Sequence, residues 1–486
     1  MSKPWVSLVL VLSGVLIGGV SVFADLLGLG KPGIPAAQLL LAEIGAVIAL
    51  AGVWLALRQR RAGAAPYSLG RAVEAILTAP LIIWVVAGFL LAYLLCFVAP
   101  AIFNAAGRFQ YFTDYLMPHE HIGFDTRMIL EDVRVWFLGE RPPSYLFPPL
   151  TTILFTPLLM LRYPVNFYLV AAVTLISFPI LNLVLPLLII RKEHRALIYF
   201  IFGVSVFSYG LQFELDTGQF YTAAMLLLLA SIYIFHRHPA YRLLAYMLFS
   251  ISVQLKIFPA FFVLMFVDDW RDWKANLKRF AALGAANFLL LFLLGFRYFG
   301  LFVRQTLAAL GLNEVAYNHS VRMYVRNLAA SGYGLAEGAA LTWIRENVAL
   351  LQGLLYAFVI LCILLVLLRS YGRNAKGIDV TLLFALVLGV LTLPSINHDY
   401  NLPLLAAPFM LWVSTQASAA SRPAKVLSIL LVAAAAFAYA ATLFPSNARP
   451  PFLENSFPSL FILLAAVTLS DFIPKLPEAE GASPND

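Results

Sequence analysis

The chemistry in this chain concentrates in one polar segment, FDTRMILEDVRVWFLGERPPSYLFPPL, running from Phe124 to Leu150. It carries Asp125, Glu131, Asp132 and Glu140, with Asp114 just before it. A carboxylate at a lipid–water boundary can take the proton of an attacking hydroxyl as a general base. Asp125 follows Gly123 at an expected helix start, where a carboxylate can equally cap exposed N–H groups. Both readings stand on sequence alone, and Asp114 is the rival base. His119 and His121 lie nearby, but His-x-His among scattered carboxylates is not a metal-ligand pattern. No metal and no cofactor is expected.

Four further constellations carry polar side chains at unusual places. In Leu211–Gln219 (LQFELDTGQ), Glu214, Asp216 and Gln219 sit in an expected tight turn between two apolar runs. Ionisable groups at such depth are costly to bury and so point to function; the plainer reading is that Asp216 caps the next helix. Lys256, in Gln254–Pro259 (QLKIFP), either snorkels to the interface or pairs with an anion. Arg322 and Arg326 stand four apart, on one helical face, as two guanidinium forks suited to phosphate or as a solvated face. His319 belongs to Asn318-His319-Ser320, which also reads as a glycan-acceptor sequon. His398 lies in Ser395–Asn401 (SINHDYN), as a site residue or a helix-end partner.

The elements that must position these groups are membrane spans. Of 486 residues, 62% are hydrophobic and 12% charged, and the mean hydropathy is +0.86. Soluble domains carry about a quarter charged residues, so the composition is that of an all-α polytopic membrane protein. The net charge of +8 falls in short loops, not in a basic patch interleaved with aromatics. It is therefore a topology signal, and no nucleic-acid partner is expected. Cys96 and Cys362 both lie in apolar runs, which argues against a disulfide framework.

Spans of about 20 residues are expected near 4–23, 36–57, 76–102, 165–190, 196–211, 217–235, 279–298, 347–368, 378–395, 402–417, 425–444 and 457–473. Twelve crossings put both termini and every basic loop in the cytoplasm. The run Trp5–Phe23 reads as a retained first span. Leu150–Leu161 is too short to cross. Leu243–Val267 has basic clusters at both ends and a Lys and a Pro in its middle, so two half-length helices returning to one side are expected there. The polar loops, including 103–147 and 299–346, then share the outer face. Short amphipathic helices are expected between Phe112 and Trp136.

Taken together, these residues resemble the GT-C superfamily of membrane glycosyltransferases. Within it they are similar to the polyprenyl-phosphate-mannose-dependent α-mannosyltransferases of phosphatidylinositol mannoside synthesis. The matching positions are Asp125, Gly139 and Phe147-Pro148-Pro149-Leu150, where Phe147 replaces the usual tyrosine. Gly218-Gln219, Lys256-Ile257-Phe258-Pro259 and the His-containing loop Asn397–Tyr400 follow in family order. The resemblance covers roughly residues 110 to 415. The two spans before residue 60 look like an addition, and the stretch from Phe103 to Asp125 is longer than the family pattern.

The resemblance implies a GT-C-type bundle with short re-entrant or interfacial helices. Its expected parts are an N-terminal two-span addition (1–75), a catalytic core (76–416), C-terminal spans (417–473) and a disordered cytoplasmic tail (474–486). It further implies a polyprenyl-phosphate-linked sugar donor, a lipid or glycan acceptor, and a site on the extracytoplasmic face of the cell membrane. Asp125 would be the base in an inverting displacement. Lys256, Arg322, Arg326, His398 and Gln219 would meet the donor phosphate or sugar, and Glu131, Glu214, Asp216 and His319 would line the acceptor side. Two other classes stay open. A transporter or flippase would need broken helices in both halves, and a glycan polymerase or ligase would need a large Arg/His-rich outer loop, which 299–346 partly supplies.

Overall fold

A computed structural model describes residues 81–93, 122–139, 147–190, 194–311, 317–331, 338–374, 376–416, 421–444 and 453–475. The expected spans 4–23 and 36–57, most of 76–102, the tail beyond 475, and Asp114, His119 and His121 lie outside these residues. From Trp84 onward the described residues belong to one compact unit. Among them there are helices and no strands; the one extended pairing is an isolated bridge between Asn318 and His398.

In chain order the helices are α1 (Leu81–Tyr93), α2 (Phe124–Leu138), α3 (Pro149–Phe155), α4 (Val165–Ile189), α5 (Arg195–Ser205), α6 (Tyr209–Thr217), α7 (Tyr221–Arg237) and α8 (Arg242–Leu255). There follow α9 (Trp273–Leu290), α10 (Gly295–Gly311), α11 (Val321–Ser331), α12 (Ala339–Glu346), α13 (Val348–Arg373), α14 (Val380–Thr392), α15 (Ala406–Thr415), α16 (Arg422–Thr442) and α17 (Phe457–Ser470). Three of them, α4, α13 and α16, are long and apolar enough to cross a membrane, or five spans if each of two bent pairs counts as one. Several others, α7, α14 and α17 included, are apolar but shorter. The molecule is thus a membrane-integral helical protein.

A helix that is apolar all round belongs in the interior, and α14 is one: every residue from Thr381 to Thr392 is buried. Around it pack Trp412 of α15, Leu460 and Leu464 of α17, and Phe262 and Phe266 from the segment after α8. By contrast α13 buries only Val359, Cys362, Val366 and Ser370, so most of its surface faces outward.

Two expectations need correction. The segment Leu211–Gly218 is not a tight outer turn. It is helix α6, bent 54° from α5, with Glu214 and Asp216 turned into the protein. The polar letters that suggested a loop are satisfied internally. The run 279–298 is not one straight helix either: α9 ends at Leu290, and α10 departs at 105° to it. Gly295 carries the turn with φ +85°. Tyr298 and Phe302 are then buried beside Trp136 of α2. Tyr298 also donates to the Phe147 carbonyl (2.8 Å) and bonds Thr152, tying α10 to the start of α3.

The stretch Leu243–Val267 does turn back. Helix α8 rises about 21 Å over its fourteen residues. It breaks at Lys256, and a 3-10 helix, Phe258–Met265, descends by about 16 Å. The ends then meet: His236 Nε2 donates to the Met265 carbonyl (2.8 Å), and Arg242 pairs with Asp268 (2.6 Å). That junction continues into a polar belt. Arg279 reaches Asp268 and the Phe266 carbonyl, Asn374 bonds Asp269 and the Trp270 N–H, and Arg373 pairs with Asp379 and Asp471. The Arg271 N–H and the Asn374 amide hold the Asp269 carboxyl below its ordinary range. Loops that the charge pattern assigns to one side are therefore joined at one end of the bundle, and the Lys256 break lies at the other.

The hairpin predicts a labelling result. In a background with both cysteines replaced, Ala240→Cys and Lys274→Cys should react with a membrane-impermeant maleimide from the same face. Labelling from opposite faces would mean that 242–265 crosses.

Candidate active site

Helix α2 is docked onto the α6–α7 turn by two glycines. Gly123 (φ +67°) and Gly218 (φ +72°) both hold left-handed backbone, which costs a residue with a Cβ about 1–2 kcal/mol. The Gly123 N–H donates to the Asp216 carbonyl (2.6 Å), and Thr126 Oγ1 donates to the Gly218 carbonyl (2.7 Å). A Cβ on Gly218 would come within 2.1 Å of Thr126 Oγ1. This close approach places Asp125, in the first turn of α2, against Gln219.

Asp125 is half-buried, and its Oδ2 accepts a hydrogen bond from Gln219 Nε2 (2.8 Å). The helix start behind it adds favourable partial charge for a carboxylate. The other end of the same amide, Gln219 Oε1, accepts from Lys256 Nζ (2.7 Å). Gln219 itself is fixed: its N–H donates to the Glu214 carbonyl (3.0 Å) and its carbonyl accepts from Thr174 (2.9 Å). Lys256 is 6% exposed, and its ammonium lies over three rings, Phe147 (4.4 Å), Phe220 (4.4 Å) and Tyr221 (4.1 Å). Ring faces attract a cation most when water is excluded. The helix break that frees Lys256 is itself sealed, because Thr151 Oγ1 of α3 donates to the Gln254 and Leu255 carbonyls.

Glu214 lies one turn back and is fully buried. Both its oxygens go to Thr222, one to the N–H (2.7 Å) and one to the hydroxyl (2.5 Å). Glu214, and not Asp216, therefore receives the first turn of α7. Asp216 contributes its backbone carbonyl to Gly123.

A second polar cluster joins residues 317–320 to the turn 395–401. His319 Nδ1 donates to Asp399 Oδ1 (2.9 Å), which also accepts from Ser456 (3.2 Å). The His319 N–H bonds the Asn397 carbonyl, and the Asp399 N–H bonds the Tyr317 carbonyl. Asn318 and Ser320 both reach the Ser395 carbonyl. The two clusters touch through aromatic rings: Tyr400 packs on Tyr221 at 5.4 Å and on His398 at 5.2 Å. A chain of contacts thus runs from Asp125 through Gln219, Lys256, Tyr221 and Tyr400 to His398.

The remaining expected residues lie on other helix faces. Arg322 and Arg326 are half-buried on α11, where the Arg322 carbonyl accepts from Gln352 of α13. Glu131 is exposed and lies 3.8 Å from Arg134. Thr126, Thr151, Thr174, Thr222 and Asp399 were not singled out for roles they hold here. Their signal in sequence is faint, since each is an ordinary polar residue inside or beside an apolar run. Among the described residues no three His, Cys, Asp or Glu side chains converge as a metal site would require.

The site thus pairs the Asp125 carboxylate, through Gln219, with a buried cation in a helical membrane protein. Residues 145–394 match the model of Glycosyltransferase family 87, and the chain belongs to that family and is a glycosyltransferase. Gln219, Lys256, Glu214 and His319 fall inside the matched residues; Asp125 and His398 lie just outside. No curated protein and no solved structure matches the chain.

The glycine contact predicts that Gly218→Ala separates α2 from the turn. The backbone alone should cost about 1–2 kcal/mol, with a greater loss from the Thr126 clash. Thermal unfolding of Gly218→Ala beside Gly218→Ala/Thr126→Ala measures it, and the double variant should recover part of the loss.

Proposed function

We propose that the protein transfers mannose from a polyprenyl-phosphate donor to a lipid or cell-envelope glycan hydroxyl, on the extracytoplasmic face of the cell membrane. Family membership supports glycosyl transfer, and the resemblance of the Asp125, Gln219, Lys256 and Asn397–Tyr400 motifs supports the donor class. The positive-inside rule applied to the Arg242–Asp268–Arg373 belt supports that side, since the Lys256 break lies at the opposite end.

The observation that carries the reading is the pinned carboxylate of Asp125. The acceptor oxygen attacks the anomeric carbon from the face opposite the phosphate. As that C–O bond forms, its proton passes to Asp125, and the bond from anomeric carbon to phosphate oxygen breaks with its electron pair on the phosphate. Polyprenyl phosphate leaves, and the configuration inverts. No nucleotide is needed, because the lipid phosphate is the leaving group. Positive groups preorganised around the departing phosphate lower the barrier. Lys256 is already engaged by Gln219 and three rings, so Arg322, Arg326 and His398 are the groups proposed for that task. Glu214, fully buried and held by Thr222, acts as a structural acid that fixes the turn carrying Gln219.

In membranes supplied with radiolabelled polyprenyl-phosphate-mannose, the protein should transfer label to endogenous lipid. Asp125→Asn should lose about 10²–10⁴-fold of the rate while remaining monodisperse in detergent. Turnover near that of the unsubstituted protein would remove Asp125 as the base. Transfer only from another polyprenyl-phosphate sugar would keep the mechanism and change the substrate.

A further inference from the structure

The amide of Gln219 lies between two ions of opposite sign, and its two ends are chemically distinct. Nitrogen only donates and oxygen only accepts. As placed, the nitrogen faces the Asp125 carboxylate and the oxygen faces the Lys256 ammonium. Turned over about its last torsion, the amide would set oxygen against carboxylate and nitrogen against ammonium, converting both attractions into repulsions. The side chain has little room for other arrangements: Gln219 is 5% exposed, and both its backbone polar groups are bonded.

We propose that Gln219 is a positioning residue for Asp125, and that Lys256 acts through it by fixing which end of the amide meets the carboxylate. The inference rests on the reading of Asp125 as the base. It gives Lys256 a task other than phosphate binding. Among the described residues its ammonium has ring faces on three sides and one amide oxygen as hydrogen-bond acceptor, so there a lipid phosphate would have to displace an aromatic wall to touch it. Its charge reaches Asp125 through the amide dipole, in surroundings where little water screens it. The plane of the carboxylate is thereby fixed by the bond at Oδ2. Glu214 is the other acid near this cation, but both its oxygens are committed to Thr222.

The test reads Asp125 directly. Infrared difference titration of the purified protein, with ¹³C-labelled aspartate and Asp125→Asn as the blank, follows its carboxyl band with pH. Gln219→Leu and Lys256→Met should each move that titration upward by about one pH unit, the size of one charge-assisted hydrogen bond. The acid limb of the transfer rate should move with it. The double variant should shift no further than the larger single, because Lys256 works through Gln219, and Lys256→Arg should return most of the shift. A titration unmoved in Lys256→Met, or a double shift equal to the sum, overturns the proposal. If Lys256→Met does not fold, Gln219→Glu keeps the shape and the lysine's partner but replaces the donor facing Asp125 with an acceptor. It must raise the titration at least as far, and an unmoved band overturns the proposal. If the titrations move as expected but Asp125→Asn transfers sugar as fast as the unsubstituted protein, the relay stands and the catalytic reading of Asp125 falls.

Discussion

An ammonium surrounded by apolar helices is unfavourable unless its lost hydration is replaced, and most of the architecture near Lys256 serves that replacement. The hairpin of α8 and the 3-10 helix brings the lysine to the end of the bundle opposite the Arg242–Asp268 junction. There Phe147, Phe220 and Tyr221 supply three ring faces, each from a different short connection or helix start. Gln219 supplies the acceptor, and Asp125 beyond it the compensating charge. Moving any of these elements would remove a partner from a cation at depth. The re-entrant hairpin, the α6–α7 turn, the start of α2 and the residues before α3 are thus mutually constrained by one charge.

The second cluster repeats the strategy with an imidazole and a carboxylate at its centre. His319 and Asp399 are both fully enclosed, so each needs the other as a partner, and Ser456 adds a third bond from the start of α17. Asn318 and Asn397 stitch the two segments into the isolated bridge. This clamp sets the position of the turn 395–401. Tyr400 carries that position across to Tyr221 at the wall of the lysine cage. The His398 ring is thereby indexed to the lysine cage although the two belong to distant parts of the chain.

Apolar length and basic loops made much of this legible. Helices α4, α13, α16 and α17 lie where hydropathy places spans, and the Lys-Ile-Phe-Pro run marks the break at Lys256. The residues Asp125, Gln219 and Lys256, drawn from three separate motifs, do come together. What sequence could not distinguish was an apolar residue facing lipid from one facing protein. For that reason 279–298 read as a single span, although Tyr298 and Phe302 turn into the protein beside Trp136 and force the 105° bend. Polar letters misled in the opposite direction at Leu211–Gly218. Glu214 reads as a loop residue until Thr222, eight positions on, is seen to satisfy both its oxygens. The orientation of the Gln219 amide was equally invisible, because it depends on two charges from other helices.

The helix breaks explain why a site exists at this depth at all. An unbroken helix satisfies its own backbone and presents only side chains, whereas a break releases carbonyls that lipid cannot bond. Here each break near the site is closed by a short polar side chain. Gln212 takes the Phe207 carbonyl between α5 and α6, and Thr126 and Thr174 take those of Gly218 and Gln219 between α6 and α7. Thr151 takes Gln254 and Leu255 after α8, and Asn397 takes Val390 at the end of α14. These side chains make the departures from helix tolerable without bringing in bulk or charge. The departures in turn give the chain the free directions in which Gln219, Lys256 and His398 leave their helices and meet. Removing the threonines would therefore act on the site through the backbone carbonyls that they bond.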